Sequence, residues 1–169
     1  TLAPKLRRKP MSLHGRDGLV ARLTALNERL EKERLTPIQL VEALAARMWT
    51  GPMYIKYEAV LRGSGAEFQM CQGNGYVTTL HCINSTVVKT SKLSTVTKVY
   101  RGVSSGQLPA DFWAPNAYGA CGAIEAAFVA TTTDRAAAVE FAAAGGGGEL
   151  EAGKPGVLLE IHQGMVNRG

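Results

Sequence analysis

The chain has 169 residues, of which 46% are hydrophobic and 20% are charged, and its formal net charge is +5. This length suits one domain that buries roughly 70% of the surface its unfolded chain exposes. The composition is typical of a soluble globular protein, and no apolar run approaches the ~20 residues of a membrane-spanning helix, so that class is excluded.

The positive charge is concentrated at the N-terminus. Residues 1–34 carry nine basic and four acidic side chains, whereas residues 35–169 carry ten of each. Prolines that disfavour a helix flank a basic cluster of Lys5, Arg7, Arg8 and Lys9. We therefore predict that residues 1–16 are a basic arm, which contacts an acidic partner, lipid headgroups or nucleic acid, or is simply solvated. The first residue is Thr, which is expected for a fragment or for a chain processed on import into an organelle such as a plastid.

Three cysteines, Cys71, Cys82 and Cys121, are too widely spaced for a CxxC pair or a zinc site. The sequence predicts that all three are buried free thiols, which fits either a reducing compartment or a protein indifferent to redox conditions.

The N-terminal part of the chain is predicted to be helical. Residues 18–34 carry an apolar stripe at helical spacing, formed by Leu19, Leu23, Leu26 and Leu30. Residues 36–39 read Thr-Pro-Ile-Gln, the pattern of a capping box, so a second helix is expected from there to about Trp49. Its inward face is predicted to consist of Leu40, Val41, Leu44, Ala45 and Met48. Together these helices form a helical extension, residues 17–50.

Two further helices are expected before the first strand. Residues 52–61 show one apolar face and are followed by Gly63, a residue typical of helix C-termini. Residues 63–75 are predicted to be a loop. Residues 76–92 are rich in Val, Ile and Thr, which favours a strand, but their length and apolar spacing favour a helix, which we adopt.

Strands follow in the second half. Residues 98–103 alternate as a strand that places Arg101 on an apolar face, where it is either a clamp for phosphate or carboxylate or an ordinary strand-end arginine. Asp134 is expected to cap a helix. The other predicted elements are a helical turn at 109–113, a loop at 114–123, strands at 126–131 and 156–163, a helix at 135–144 and an Ala/Gly-rich turn at 142–148. Helices followed by strands, without alternation, predict an α+β fold.

Four motifs stand in a characteristic order in this half. They read TKVYRG at 97–102, LPADFW at 108–113, GAIEAAFVATTTDR at 122–135 and AVEFA at 138–142. This order resembles the ADP-ribosyltransferase fold of the arginine–serine–glutamate class, in the form common in protists and algae. The resemblance covers about residues 50–169. It implies that residues 51–169 form an ADP-ribosyltransferase-like mixed β core that is incomplete.

The resemblance also implies a site. The family arginine, which orients NAD, falls on Arg101, and we expect NAD, if it binds, to contact Arg101, Gly102, Thr131 and Thr132. The family serine falls on Ala130, whose methyl group cannot replace a hydroxyl. The family's catalytic glutamate, which acts on an oxocarbenium-like transition state, lies on a later strand that the sequence does not reach. No catalytic residue is therefore assigned.

Other acid–base candidates are weaker. Glu125 is expected to make a local hydrogen bond, and Glu149 and Glu151 lie in the Gly-rich junction. Glu160 and His162 share one side of a strand, where they either act on a metal or a proton or simply occupy an exposed edge. No metal cluster, catalytic triad or phosphate loop is predicted.

Three functional hypotheses follow. The first is a degenerate ADP-ribosyltransferase-like protein without transferase activity, which binds protein partners in a larger assembly, for example in a plastid. The second is an active NAD-dependent mono-ADP-ribosyltransferase whose glutamate lies beyond residue 169. The third is a nucleic-acid-binding module that uses the basic arm, which we rank last because no base-stacking surface is evident.

Overall fold

A computed structural model describes residues 13–94, 96, 98–104, 108–143 and 156–162, with side chains from residue 18 onward. The chain divides into two compact units near residue 95. We call residues 13–94 the helical unit and the described residues from 96 to 162 the strand unit. The predicted basic cluster, most of the Ala/Gly-rich turn, Glu149 and Glu151 lie outside the described residues.

The helical unit contains five helices. They are α1 (Leu13–Lys32), α2 (Leu40–Trp49), α3 (Tyr54–Arg62), α4 (Ala66–Gln69) and α5 (Val77–Ser91). The helix expected at 76–92 is confirmed as α5, and Gly63 ends α3 in the left-handed conformation, with φ 68°. The loop expected at 63–75 is wrong in part, because it contains α4. Since α2 packs against α5, the predicted boundary between residues 50 and 51 falls inside this unit.

The start of α2 differs from the prediction. Gln39, not Thr36, is the cap residue, and the Gln39 N–H donates to Oε2 of Glu42 at 2.7 Å. The reason lies in α1, where the Asn27 amide donates to the Ile38 carbonyl at 2.9 Å and accepts from the Ile38 N–H at 2.8 Å. Because both main-chain groups of Ile38 are engaged by Asn27, Ile38 stays outside α2, which begins at Leu40.

The strand unit contains one antiparallel pair of strands and one helix. Its elements are β1 (Lys98–Val103), a single 3₁₀ turn (Ala110–Phe112), α6 (Arg135–Ala143) and β2 (Val157–His162). The pairing of β1 with β2 runs from Lys98↔His162 to Val103↔Val157. The strand expected at 126–131 is wrong: Thr132 makes one isolated bridge with Tyr100, and the residues before it join no strand.

Helix α6 lies against one face of this strand pair. Asp134 begins it as predicted, since its Oδ1 accepts from the Ala136 N–H at 2.9 Å. A Cβ at Gly102 would overlap the carbonyl oxygen of Ala138, and one at Gly156 would lie 2.6 Å from the carbonyl oxygen of Ala142. The helix therefore approaches the strands at two glycines, where main chain meets main chain.

The two units have different cores. In the helical unit the largest fully buried side chains are Leu30, Tyr57 and Ile83. The buried apolar residues of the strand unit are Val99, Ala127, Ala138 and Ala142. Each unit holds one of the two tryptophans: Trp49 is half-buried at the end of α2, and Trp113 is 66% exposed after the 3₁₀ turn.

The cysteine prediction is correct for two of three residues. Cys71 and Cys82 are buried and free, whereas Cys121 is exposed in the loop that follows the 3₁₀ turn. The described residues form an α+β fold with helices at the N-terminal side, as predicted. Among them, no helix is both long and apolar enough to cross a membrane.

Candidate functional site

Arg101 lies on β1 and shares a face of the strand with Val99 and Val103. Val99 is buried, and Arg101 is partly exposed. Nη1 of Arg101 donates to the carbonyl oxygen of Ala130 over a long distance of 3.5 Å. This is the one protein acceptor found for the guanidinium within the described residues. A guanidinium has five donor groups, so most of its capacity remains for an anion or water.

The bridge between Tyr100 and Thr132 brings the segment 130–132 beside Arg101. The Tyr100 N–H donates to the Thr132 carbonyl at 2.8 Å, and the Thr132 N–H donates to the Tyr100 carbonyl at 2.9 Å. Oγ1 of Thr132 accepts from the Asp134 N–H at 3.1 Å, so this hydroxyl also shapes the turn into α6. Arg101, Ala130 and Thr132 are therefore neighbours.

The other two predicted contact residues have different surroundings. Gly102 follows Arg101 in the strand and lies on the opposite face, against α6. Thr131 is exposed. The structure therefore groups Arg101 with Thr132 and gives Gly102 a packing role. The methyl group of Ala130 offers no hydroxyl to this site.

A polar cluster occupies the exposed end of the strand pair. Oε1 of Glu160 accepts from Nζ of Lys98 at 2.9 Å and lies 3.0 Å from Nε2 of His162. The hydrogen bonds that Glu160 accepts from Lys98 and His162 lower its pKa, and the same bond to Glu160 raises the pKa of Lys98. The predicted common side of Glu160 and His162 is confirmed. No group of three potential metal ligands occurs among the described residues.

The remaining sequence candidates lie apart from this cluster. Glu125 accepts from the Ala127 N–H at 3.0 Å, the local hydrogen bond that the sequence predicts. A cavity of ≈ 250 Å³ beside α3 and α4 is lined by Tyr54, Glu58 and Arg62, among others, and by none of the predicted site residues.

Helix α2 has its apolar stripe on the outside, and the predicted inward face is wrong except for Ala45. The exposed fractions of its large apolar residues are 46% for Leu40, 53% for Val41, 42% for Leu44 and 47% for Met48. The buried residues of α2 are Glu42 and Ala45. A helix of an isolated monomer normally shows the reverse pattern.

Glu42 explains this orientation. Its carboxylate accepts from Oγ of Ser85 at 2.6 Å and from Nζ of Lys89 at 2.8 and 2.9 Å. Lys89 also donates to the carbonyl of Pro37 at 3.0 Å. Burial alone would raise the pKa of Glu42, but the hydrogen bonds from Lys89, Ser85 and the Gln39 N–H outweigh burial and lower it.

Sequence reasoning missed this outward stripe, although one signal was present. Glu42 stands three residues after Gln39 among apolar neighbours, and α5 offers hydroxyl groups and an ammonium in Ser85, Thr86 and Lys89. When a carboxylate caps a helix and also pairs with an ammonium group on a neighbouring helix, the polar face of the first helix lies against that neighbour. The apolar stripe then faces away from α5.

Comparison with known proteins adds no relative. No protein-family model matches the chain, and no curated protein sequence or solved structure matches it either.

Proposed function

We propose that the chain is a degenerate ADP-ribosyltransferase-like protein without transferase activity, which acts as a protein-binding subunit of a larger assembly. The observation that carries the binding role is the outward apolar stripe of α2, formed by Leu40, Val41, Leu44 and Met48. Large exposed apolar patches of this kind mark sites of protein association.

The stripe suits a partner helix. Leu40, Leu44 and Met48 are spaced four residues apart, so they form one ridge along α2. Such a ridge packs into the groove of another helix. Arg47 is exposed beside the ridge and donates to Oγ1 of Thr50 at 3.1 Å. A cation at this position favours an acidic residue on the partner, so the proposed partner element is an amphipathic helix with a carboxylate beside its apolar stripe.

Two synthetic amphipathic peptides test this role. Both carry the same leucine stripe, but one is flanked by glutamate and the other by lysine. We expect the acidic peptide to bind the chain and Leu44→Glu to abolish binding. A matched control is Val88→Glu on α5, which changes a residue that is 54% exposed and should leave binding intact. Equal binding of both peptides, or binding that survives Leu44→Glu, would contradict the proposed surface.

The loss of transferase activity is supported by Ala130. The position that a serine occupies in the resembled family carries a methyl group, and Arg101 contacts the main-chain oxygen of this same residue. Incubation with labelled NAD tests this part of the proposal, with Arg101→Ala as the control. We expect no release of nicotinamide above background from either protein. Release of nicotinamide by the unmodified chain that is lost in Arg101→Ala would contradict the proposal that the chain has no transferase activity.

The second candidate, an active mono-ADP-ribosyltransferase with its glutamate beyond residue 169, is favoured by the proximity of Arg101 to Thr132. The Tyr100–Thr132 bridge joins the two segments whose residues, by the resemblance, would contact NAD. If NAD binds there, NAD at a hundred times its dissociation constant should stabilise the folded chain by roughly 2.7 kcal/mol. Thermal unfolding with and without NAD measures this, and the gain should disappear in Arg101→Ala.

A further inference from the structure

Strand β2 has one side that pairs with β1 and one side on which no described strand pairs with it. The main-chain bonds between Tyr100 and Thr132 show which groups of β1 point away from β2. In an antiparallel pair the N–H and C=O of one residue point to the same side and alternate along the strand. Tyr100 and its alternate neighbours therefore point away from β2, and the residues between them point toward it.

The register of the β1–β2 pair shows which main-chain groups of β2 point away from β1. Tyr100 stands opposite Glu160, so the main-chain groups of Leu158, Glu160 and His162 point to the outer edge. Those of Val157, Leu159 and Ile161 point to β1. The outer edge thus presents three regularly spaced donor–acceptor pairs on an apolar strand. An edge of this kind is a template for the addition of another strand.

The side chains at this edge are complementary to those of the same edge in a second copy of the chain. Glu160 and His162 are 43% and 69% exposed, and they are separated by one residue. In an antiparallel pair of two β2 strands centred on Ile161, each Glu160 stands opposite the second copy's His162. A register centred on Glu160 would instead oppose two carboxylates, which is unfavourable. Oε1 of Glu160 is the oxygen engaged by Lys98 and His162, and Oε2 has no bond within the described residues.

We propose that two copies of this chain associate through the outer edge of β2, in antiparallel register centred on Ile161. Within the described residues the two copies of β2 then pair over Glu160–His162, which joins the two strand pairs into a four-stranded sheet. Oε2 of each Glu160 then lies opposite the imidazole of the other copy's His162. This surface lies in the strand unit and is independent of the α2 stripe.

Sedimentation of the full chain across the micromolar range tests the association. We expect a reversible dimer. His162→Glu should raise the dimer dissociation constant about tenfold or more, because two favourable cross-strand pairs become like-charge pairs. The double variant Glu160→His with His162→Glu restores opposite partners and should restore the dimer. Lys98 stands opposite position 162, so it keeps a carboxylate partner within the chain in both variants.

Cysteine cross-linking tests the register. In a Cys121→Ser background, which removes the exposed native thiol, Ile161→Cys should form an intermolecular disulfide under mild oxidation, because position 161 faces its own copy. Leu159→Cys is the matched control and should remain uncross-linked. A Leu44→Glu chain should still dimerise, which separates this surface from the one on α2. A chain that stays monomeric throughout the micromolar range, or that cross-links through position 159 instead of 161, would overturn the proposal.

Discussion

In the helical unit, the contact between α2 and α5 is built around a carboxylate and an ammonium. In the strand unit, the contact between α6 and β1 is built around glycine. Glu42 receives hydrogen bonds from Ser85, Lys89 and the Gln39 N–H. That interface therefore depends on the charge of the paired groups and on the direction of their hydrogen bonds. Gly102 offers no side chain at all, so its interface depends on the space that a missing Cβ leaves.

This difference shows two ways in which a small unit can position a helix. The Glu42 pair turns α2 so that its apolar side remains exposed, at the cost of desolvating two charges. The glycine contact positions α6 without charge, but it tolerates no added atom. The first unit should therefore respond to changes in charge and pH, and the second to changes in volume.

The largest effect is expected from Glu42→Ala. This change leaves Lys89 partly buried without its carboxylate, so the helical unit should lose about 3 kcal/mol of unfolding free energy. Chemical denaturation followed by circular dichroism measures the loss. Replacing both partners, Glu42→Leu with Lys89→Met, should recover most of it because no unpaired charge remains. A double variant as unstable as Glu42→Ala would show that the pair does not orient α2.

Gly102→Ala should come next, with a loss of about 2 kcal/mol from the strand unit, because the new Cβ overlaps the Ala138 carbonyl. Gly18→Ala provides a control of opposite sign. Gly18 lies inside α1, and a Cβ at this position would have no atom within 4 Å, so alanine there should add up to about 1 kcal/mol of stability. Hydrogen exchange resolved by residue assigns each change to its unit. Equal effects of both substitutions would contradict the packing described for Gly102.

A smaller gain is expected from Tyr57→Phe. The Tyr57 side chain is fully buried, and its hydroxyl has no hydrogen-bond partner within the described residues. The ring packs edge-on against Tyr76 with centroids 5.4 Å apart, a contact that phenylalanine keeps. Removing the hydroxyl should stabilise the helical unit by about 1 kcal/mol, as measured by thermal unfolding. A loss of stability would reveal a partner for this hydroxyl.

The smallest loss of stability should come from lowering the pH, because protonation of Glu42 removes its charge but no side chain is replaced. The folded-state pKa of Glu42 is lowered from 4.5, so its contribution is complete above that value and is lost as the pH falls through the lowered pKa. The helical unit should therefore weaken below about pH 4.5, and the Glu42→Leu, Lys89→Met double variant should weaken less. Unfolding curves measured from neutral to acid pH separate the two proteins.

Short sequence patterns correctly predicted the structural elements that depend only on residues close together in the chain. The Asp134 cap, the left-handed Gly63 and the helical spacing of α5 each depend on residues within a few positions. The facing of α2 could not be predicted in the same way. Its apolar period marks a stripe, but Lys89, which lies 47 residues away from Glu42, decides which side is covered.

The candidate site shows the same division. The alternation of β1 placed Arg101 on an apolar face, as the structure has it. The proximity of Ala130 and Thr132 depends on one long-range bridge, and only the family resemblance suggested it. For the segment before Thr132 the sequence analysis predicts a strand at residues 126–131. A strand needs a continuous partner edge, and this segment reaches β1 at one residue only.

The placement of the two tryptophans makes the units optically distinguishable. Trp49 is half-buried in the helical unit, whereas Trp113 already contacts solvent in the folded strand unit. Unfolding should therefore shift the emission of Trp49 to longer wavelength and leave that of Trp113 nearly unchanged. Iodide should quench Trp113 preferentially in the native chain. The wavelength of the intrinsic emission thus follows mainly the helical unit, and a titration that shifts this wavelength reports on α2 and its surroundings.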